Sequence, residues 1–226
     1  MERRAIEDVL RALNHPDLMA IVVLTLRVTG SALLISTLAG VPLGALLGLT
    51  HFRGQRAVTA LLYTGMGLPP VVVGLFVYVL LSRSGPLGQL SWLFTPSAMI
   101  AAQTVIAFPL VAGLTMSAVT AVDPALRLQV HALGATRWQI GWTVLREARV
   151  GVTAAIVAAF GGIISEVGAV MLVGGNIAGR TRVLTTAIVL TTRQGDFALA
   201  MALGVTLIGL TLLANILLLR LQGRPR

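Results

Sequence analysis

Residues 122–149 read VDPALRLQVHALGATRWQIGWTVLREAR, a polar island between two long apolar runs. Asp123 followed by Pro124 makes a helix start, because a carboxylate caps free backbone N–H groups and proline suits a first turn. A short amphipathic helix is predicted from there to about Leu133. Gly134 then permits a backbone turn. A second helical stretch is predicted through Trp138, Trp142 and Leu145 into the apolar run that follows. A short helix projecting between two spans and closed by glycine suits docking into a groove on a soluble partner.

The runs on either side are membrane-length, since a crossing takes about 20 mostly apolar residues. Five such stretches are predicted: residues 28–49, 57–81, 97–122, 150–173 (which contains Glu166) and 197–219. They are continuous, unlike the alternating segments of about 10 residues in a membrane barrel. Composition agrees. Of 226 residues 56% are hydrophobic and 11% charged, with mean hydropathy +0.91. Soluble domains carry about 25% charged residues, so these charges are too few to cover a soluble surface. The expected fold is an all-α integral membrane protein with five transmembrane helices, forming a single domain over residues 1–226. Ile6, Val9, Leu10 and Leu13 fall at helical spacing between charges. They predict an interfacial amphipathic helix over residues 5–20, ahead of the first span. The N-terminus does not read as a secretory signal, because Glu2, Glu7, Asp8 and Asp17 are mixed with Arg3, Arg4 and Arg11.

The net charge is +9 and all 17 basic residues are arginine. Such an excess suits cytoplasmic loops facing membrane lipid. With no soluble basic domain to carry it, nucleic acid is not an expected partner. With the N-terminus outside, the inner loops hold Arg53, Arg56, Arg127, Arg137, Arg146, Arg149, Arg220, Arg224 and Arg226. The outer side then holds Arg3, Arg4, Arg11, Arg83, Arg180, Arg182 and Arg193. The difference favours N-out, C-in. Arg27, at the edge of the first span, is expected to snorkel outward.

Cysteine is absent, which removes disulfides, thiolate metal sites and cysteine nucleophiles. His15, His51 and His131 lie in separate loops without ligand spacing, so no metal site is expected. There is no HExxH, GxSxG or P-loop. The chain is therefore expected not to be an enzyme, and any active transport must draw its energy from a partner or an ion gradient.

Helix breakers inside the spans are frequent. Gly40, Gly44 and Gly48 form a flat ridge for close helix approach, and Pro42 lies within it. Pro69-Pro70, Pro109 and Gly161-Gly162 interrupt later spans. Proline frees a carbonyl that hydrocarbon cannot satisfy, so several breakers together favour a bundle around a pathway. Residues 174–195, GGNIAGRTRVLTTAIVLTTRQG, open as a Gly-rich turn. They continue as an apolar segment, 183–190, too short to span. It reads as a re-entrant or interfacial helix with Thr185 as N-cap.

The core Ala132-Leu133-Gly134-Ala135-Thr136-Arg137-Trp138-Gln139 resembles the cytoplasmic coupling loop, or EAA loop, of ABC importer permeases. It departs from the pattern where Glu-Ala-Ala falls on Leu128-Gln129-Val130 and where the late proline falls on Glu147. The stretches LPPVVVGL (68–75), LSRSGPLG (81–88), FTPSAMI (94–100), SEVGA (165–169), GGNI (174–177) and RTRVLTTAI (180–188) resemble the oxyanion importer group, and most of all the tungstate-type permeases. The resemblance covers roughly residues 20–215. It implies the membrane-spanning subunit of an ATP-driven importer for an oxyanion, tungstate foremost, working by alternating access in the prokaryotic inner membrane. Molybdate or sulfate is the near alternative. A self-contained secondary transporter or channel is the alternative from another class. The coupling loop and the scarcity of intramembrane ionisable residues speak against it.

The partners implied are a second copy of the chain, two cytoplasmic ABC ATPase subunits holding ATP and Mg, and an extracytoplasmic substrate-binding protein. The resemblance assigns ATPase coupling to Gln129, Ala132, Leu133, Gly134, Ala135 and Arg137, with Trp138 and Trp142 as interfacial anchors. Pro69, Pro70, Pro109 and Glu166 are the pathway or gate candidates. A carboxylate repels an oxyanion, so Glu166 is expected to cap a broken helix or pair with an arginine, with a protonated carboxyl in the pathway as the alternative. On the outer side Gly174, Gly175 and Asn176 could form a backbone nest for an oxyanion. Arg180, Arg182 and the hydroxyls of Thr181, Thr185 and Thr186 would assist, or this surface docks the binding protein.

Overall fold

The computed structural model describes residues 17–221, and among them all regular structure is helical. The expected interfacial helix over residues 5–20 lies largely outside the described residues. Its last three residues already belong to α1, Leu18–Leu49. Then follow α2 (Gln55–Gly67), α3 (Pro70–Leu81), a single 3-10 turn (Gly88–Leu90), α4 (Pro96–Thr120), α5 (Pro124–Ala132) and α6 (Arg137–Glu147). The chain continues as α7 (Arg149–Ile164), α8 (Gly168–Gly174), α9 (Leu184–Arg193) and α10 (Phe197–Leu221).

By length and composition α1, α4 and α10 can each cross a membrane alone. Two bent pairs raise the number to as many as five, α2 with α3 at 104° and α6 with α7 at 65°. Two of the five apolar runs are broken as helices. Proline disfavours a helical residue before it, and Leu68 and Pro69 are both extended, with ψ of 131° and 125°. Pro70 then opens α3 as its first residue, where its missing N–H removes no helical bond. The run 150–173 breaks at Ser165-Glu166-Val167, between α7 and α8. The second loop helix does not run straight into it either, because the chain turns at Ala148.

The first helix begins ten residues before the predicted span. At about 1.5 Å per residue its 32 residues reach about 48 Å, beyond a hydrocarbon core of about 30 Å. Counting about 20 residues back from Leu49 brings the outer edge near Val28. The apolar run thus measures the membrane, while the helix continues past it, with Arg27 exposed at that level.

Packing centres on α4, whose most apolar window is 56% buried, against 22% for α1 and 17% for α10. The ridge on α1 lies directly on α4. A Cβ added at Gly44 would lie 2.8 Å from Thr115 Cβ and 3.0 Å from Met116 N. At Gly48 it would lie 2.8 Å from Val119 Cγ1, and at Gly40 3.0 Å from Val111 Cγ1. Backbones this close gain dispersion along their length, which is what drives helix association in lipid. Ser36 Oγ adds a bond to Thr104 O across the same seam at 3.3 Å. On the other side of α4, Gly65 of α2 sits over Pro109. The half-helices α3 and α8 meet at Gly74 and Ala169, where an added Cβ would lie 2.9 Å from Ala169 Cβ. Val73, Val77, Met99, Val170 and Val173 fill the core around that contact. Helix α10 rests against α9 and, less, against α7.

The seam makes a test. Gly44→Ala should destabilise the detergent-solubilised protein by about 1–3 kcal/mol, since the neighbour is α4 backbone that cannot yield. Gly30→Ala, with nothing within 4 Å of the new methyl, should be neutral or slightly stabilising. Equal melting temperatures for the two variants would remove the seam as the organising contact.

Candidate functional site

The chemistry-bearing residues fall in three layers. At the end of the bundle where α1 and α4 finish, Asp123 Oδ1 accepts from Ala125 N at 2.8 Å and starts α5 as expected. The turn after α5 closes with Gly134 N on His131 O (2.9 Å) and Ala135 N on Val130 O (3.3 Å). Gly134 has φ +82 and open space where a side chain would be. Thr136 and Gln139 cap α6 reciprocally: Thr136 N donates to Gln139 Oε1 at 2.8 Å, and Gln139 N to Thr136 Oγ1 at 3.4 Å. The result is a rigid knuckle carrying Gln129, Ala132, Leu133, Gly134 and Arg137 exposed at its tip, with Ala135 half-buried. Leu133 is 86% exposed and Trp138 81%, an unusual presentation for large apolar side chains. A cleft of about 630 Å³ opens beside the knuckle, lined by Asp123, Gln129, Glu147 and Gly151 among others.

In the middle layer the two breaks come together. Val71, in the first turn of α3, and Gly168, at the start of α8, are in van der Waals contact. Pro69 and Pro70 lie at one break and Glu166 at the other, while Pro109 stands on α4 behind α2. Glu166 Oε1 accepts from Ala169 N at 2.9 Å, capping α8. Among the described residues it makes no ion pair with an arginine, so of the two roles expected for it the geometry shows the cap. The carbonyl freed at Ile163 is taken by the buried Gln103 Nε2 at 2.9 Å. The carbonyl of Glu166 is taken by Thr185 Oγ1 at 3.0 Å. Thr185 is therefore not the N-cap of α9. That helix starts at Leu184, and Thr186 Oγ1 receives the Val183 N–H at 3.1 Å.

The third layer, toward the opposite end of α1, is the loop from Gly174 to Val183. Gly175 and Asn176 are left-handed, with φ +73 and +50. Gly175 N donates to Met171 O at 2.9 Å, and Ile177 N to Thr181 Oγ1 at 2.9 Å. The N–H groups of Arg180, Thr181 and Arg182 all converge on Ile177 O at 2.9–3.1 Å. Thr181 Oγ1 donates to Gly174 O at 2.6 Å, and Thr186 Oγ1 to Val183 O at 3.1 Å. The loop is fastened to α1 by Leu184 N donating to Thr25 Oγ1 at 3.0 Å. Thr181, and Thr185 and Thr186 in the first turn of α9, are buried. Arg180 stands exposed. Arg182 turns aside into a cleft of about 290 Å³ with Asp17, Leu18, Ile21, Leu190 and Gln194.

Gln103, Thr25 and Arg127 were not singled out from the sequence. Gln103 had a readable signal, a lone amide within an apolar run. Thr25 and Arg127 act through contacts 159 and 79 residues away, which no local pattern carries.

Residues 40–225 match the family model described as binding-protein-dependent transport system inner membrane component. A probable anion ABC transporter permease protein of Haloferax volcanii is 44% identical over 217 residues, 94% of each chain. The tungstate uptake system permease protein TupB of Peptoclostridium acidaminophilum is 40% identical, covering 92% of this chain and 91% of that one. The molybdenum transport system permease protein ModB of Escherichia coli is 31% identical, covering 77% and 80%. Among solved structures, the inward-facing MetNI methionine ABC transporter superposes with a TM-score of 0.74 at 21% identity, covering 91% and 94%. A bacterial alginate ABC transporter, solved with its alginate-bound periplasmic protein, gives 0.75 at 22%, covering 96% and 83%.

The Glu166 cap separates charge from geometry. Glu166→Gln keeps an oxygen for Ala169 N and should melt within about 0.5 kcal/mol of the parent, whereas Glu166→Ala should lose about 1 kcal/mol. Equal losses in the two variants would mean that the negative charge, not the cap, is what the break requires.

Proposed function

The chain belongs to the family of binding-protein-dependent transport system inner membrane components, and from that premise we propose that its cargo is an oxyanion, tungstate first, moved inward by alternating access. As an ABC importer permease it is a translocation subunit of the inner membrane and not the ATPase. The reading of the cargo rests on the order of identities, 44% to the anion permease and 40% to the tungstate permease, against 31% to the molybdenum permease. Molybdate is the second reading on the same order.

The working unit is proposed to be two copies of this chain, two cytoplasmic ATPase subunits that hold ATP and Mg, and an extracytoplasmic binding protein that delivers the anion. The knuckle of Gln129, Ala132, Leu133, Gly134, Ala135 and Arg137 supports ATPase contact, because it offers small and apolar groups to a groove. Pro69, Pro70, Pro109 and Glu166 are proposed to border the pathway, where half-helices meet and can part. On the outer side Arg180 and Arg182 supply the charge that meets the anion or the binding protein. Gly175, Asn176, Thr181, Thr185 and Thr186 hold the shape of that loop. This arrangement requires N-out, C-in.

Orientation can be read directly, because the chain has no native cysteine. An impermeant maleimide should label Leu133→Cys only from the cytoplasmic side and Ala178→Cys only from the outer side; the reverse pattern overturns the topology.

The complete system should import tungstate only with ATP and binding protein present. Gly134→Arg should insert normally, leave ATP hydrolysis running and reduce uptake at least about tenfold. Transport by this chain alone in liposomes, without ATPase, would sink the reading. Preference for molybdate at equal concentration would shift it to the second cargo.

A further inference from the structure

Helix α1 ends at Leu49, and its last carbonyls need donors. Leu46 O takes Thr50 N at 3.0 Å and Thr50 Oγ1 at 2.7 Å. Leu47 O takes Gln55 Nε2 at 2.7 Å. Gly48 O takes Arg127 Nη2 at 3.3 Å. The end of α4 shows the same need. Ser117 O takes Ala121 N at 3.0 Å, and Val119 O takes Val122 N at 3.4 Å. Val119 O also takes Arg127 Nη2, at 3.1 Å. One guanidinium nitrogen therefore bridges the C-terminal ends of two helices, where each backbone dipole presents about half a negative charge. Arg127 Nε is buried beside them without a partner.

Arg127 belongs to α5. None of the nine residues of α5 is buried, so an apolar core does not hold this helix. It attaches to the bundle through Leu126, half-buried against the cluster of Ala45, Val119, Val122 and Val144, through the bonds of Arg127, and through its turn into α6. The two helix ends it grips are themselves locked together, because Gly48 packs against Val119 and Met116 O.

We infer that Arg127 is the positioning residue that carries displacement of α5 into the α1–α4 pair. Any movement of α5 must break two charge-assisted bonds at once or take both helix ends along. The close glycine seam then makes α1 and α4 follow as one body. This rests on the reading above, that α5 meets an ATPase. Gln55 provides an internal comparison, since it caps the same end of α1 from α2, outside the α5–α6 knuckle.

The experiment uses the reconstituted complex of permease, ATPase and binding protein, and measures tungstate taken up per ATP hydrolysed, together with melting temperature. Arg127→Met keeps the stem and removes the donors. It should assemble and hydrolyse ATP but lose about tenfold in uptake per ATP. Arg127→Lys keeps a cation without the fork and should lose about threefold. Gln55→Ala should lower the melting temperature and leave uptake per ATP unchanged. The inference is overturned if both Arg127 variants stay within about twofold of the parent. It is overturned equally if Gln55→Ala loses the ratio as they do, which would make Arg127 one cap among others. Should Arg127→Met fail to assemble, Arg127→Lys decides by the same ratio. A parent complex with no ATP-dependent uptake is a different result. It refutes the proposed function before any variant is compared, and this inference with it.

Discussion

A backbone carbonyl released inside hydrocarbon finds no water, so it must be met by another part of the protein. Much of this bundle is arranged around the places where the chain releases one. At Pro69 the missing N–H releases Gly65 O, and a local donor, Leu68 N, meets it at 3.4 Å. At Ser165-Glu166-Val167 distant donors join the local ones: α4 contributes Gln103 to Ile163 O and α9 contributes Thr185 to Glu166 O, beside Glu166 N on Ile163 O at 3.3 Å and the Glu166 carboxylate on Ala169 N. The second break therefore depends on α4 and α9 staying in register, and their relative motion acts on it directly.

That asymmetry sits on an unyielding base. The glycine seam joins α1 and α4 backbone to backbone, and interiors packed this closely transmit a shift instead of absorbing it. Around the pair the attachments become progressively lighter. α3 and α8 meet each other through Gly74 and Ala169, α10 is mostly exposed to its surroundings, and α5 has no buried residue. A permease needs both kinds of contact: a stiff pair that keeps its shape, and half-helices whose mutual contact is small enough to open.

What the sequence revealed follows from what is local. Apolar runs mark long apolar helices, so α1, α4 and α10 were legible, and Asp123-Pro124 and Gly134 mark the knuckle by cap and turn chemistry. The start of α1 was misplaced because Arg27 ends the apolar run, although a helix tolerates an arginine level with the headgroups. Pro69-Pro70 was visible as a breaker, but not its 104° bend, which is set by the packing of α3 on α8. A broken helix at Glu166 was among the expectations, but no breaker residue placed it at Ser165. Gly161-Gly162 drew attention instead, yet both glycines lie within α7, because glycine permits a kink without enforcing one. Where the helix stops three residues later, Gln103 and Thr185 meet the freed carbonyls from other elements, beside the local Glu166 cap. Thr185 itself looks like an N-cap but is turned toward Glu166 by the fold.

The outer loop bears on how an anion could be handled there. A nest binds an oxyanion by leaving consecutive N–H groups free. Here those of Arg180, Thr181 and Arg182 are gathered on Ile177 O, and those of Gly175 and Ile177 are taken by Met171 O and Thr181 Oγ1. Five N–H groups of the loop are thus spent, and its one hydroxyl, on Thr181, turns inward onto Gly174 O. What it offers outward is charge on side chains, Arg180 fully and Arg182 in part. A cradle of backbone donors would hold an oxyanion tightly, and a conduit works only if binding is weak enough for release. Guanidinium groups on this loop attract an anion, or an acidic surface on a delivering protein, without enclosing it. Selection among anions then falls to whatever hands the anion over, and the geometry of this loop is consistent with a chain that moves its cargo without grasping it.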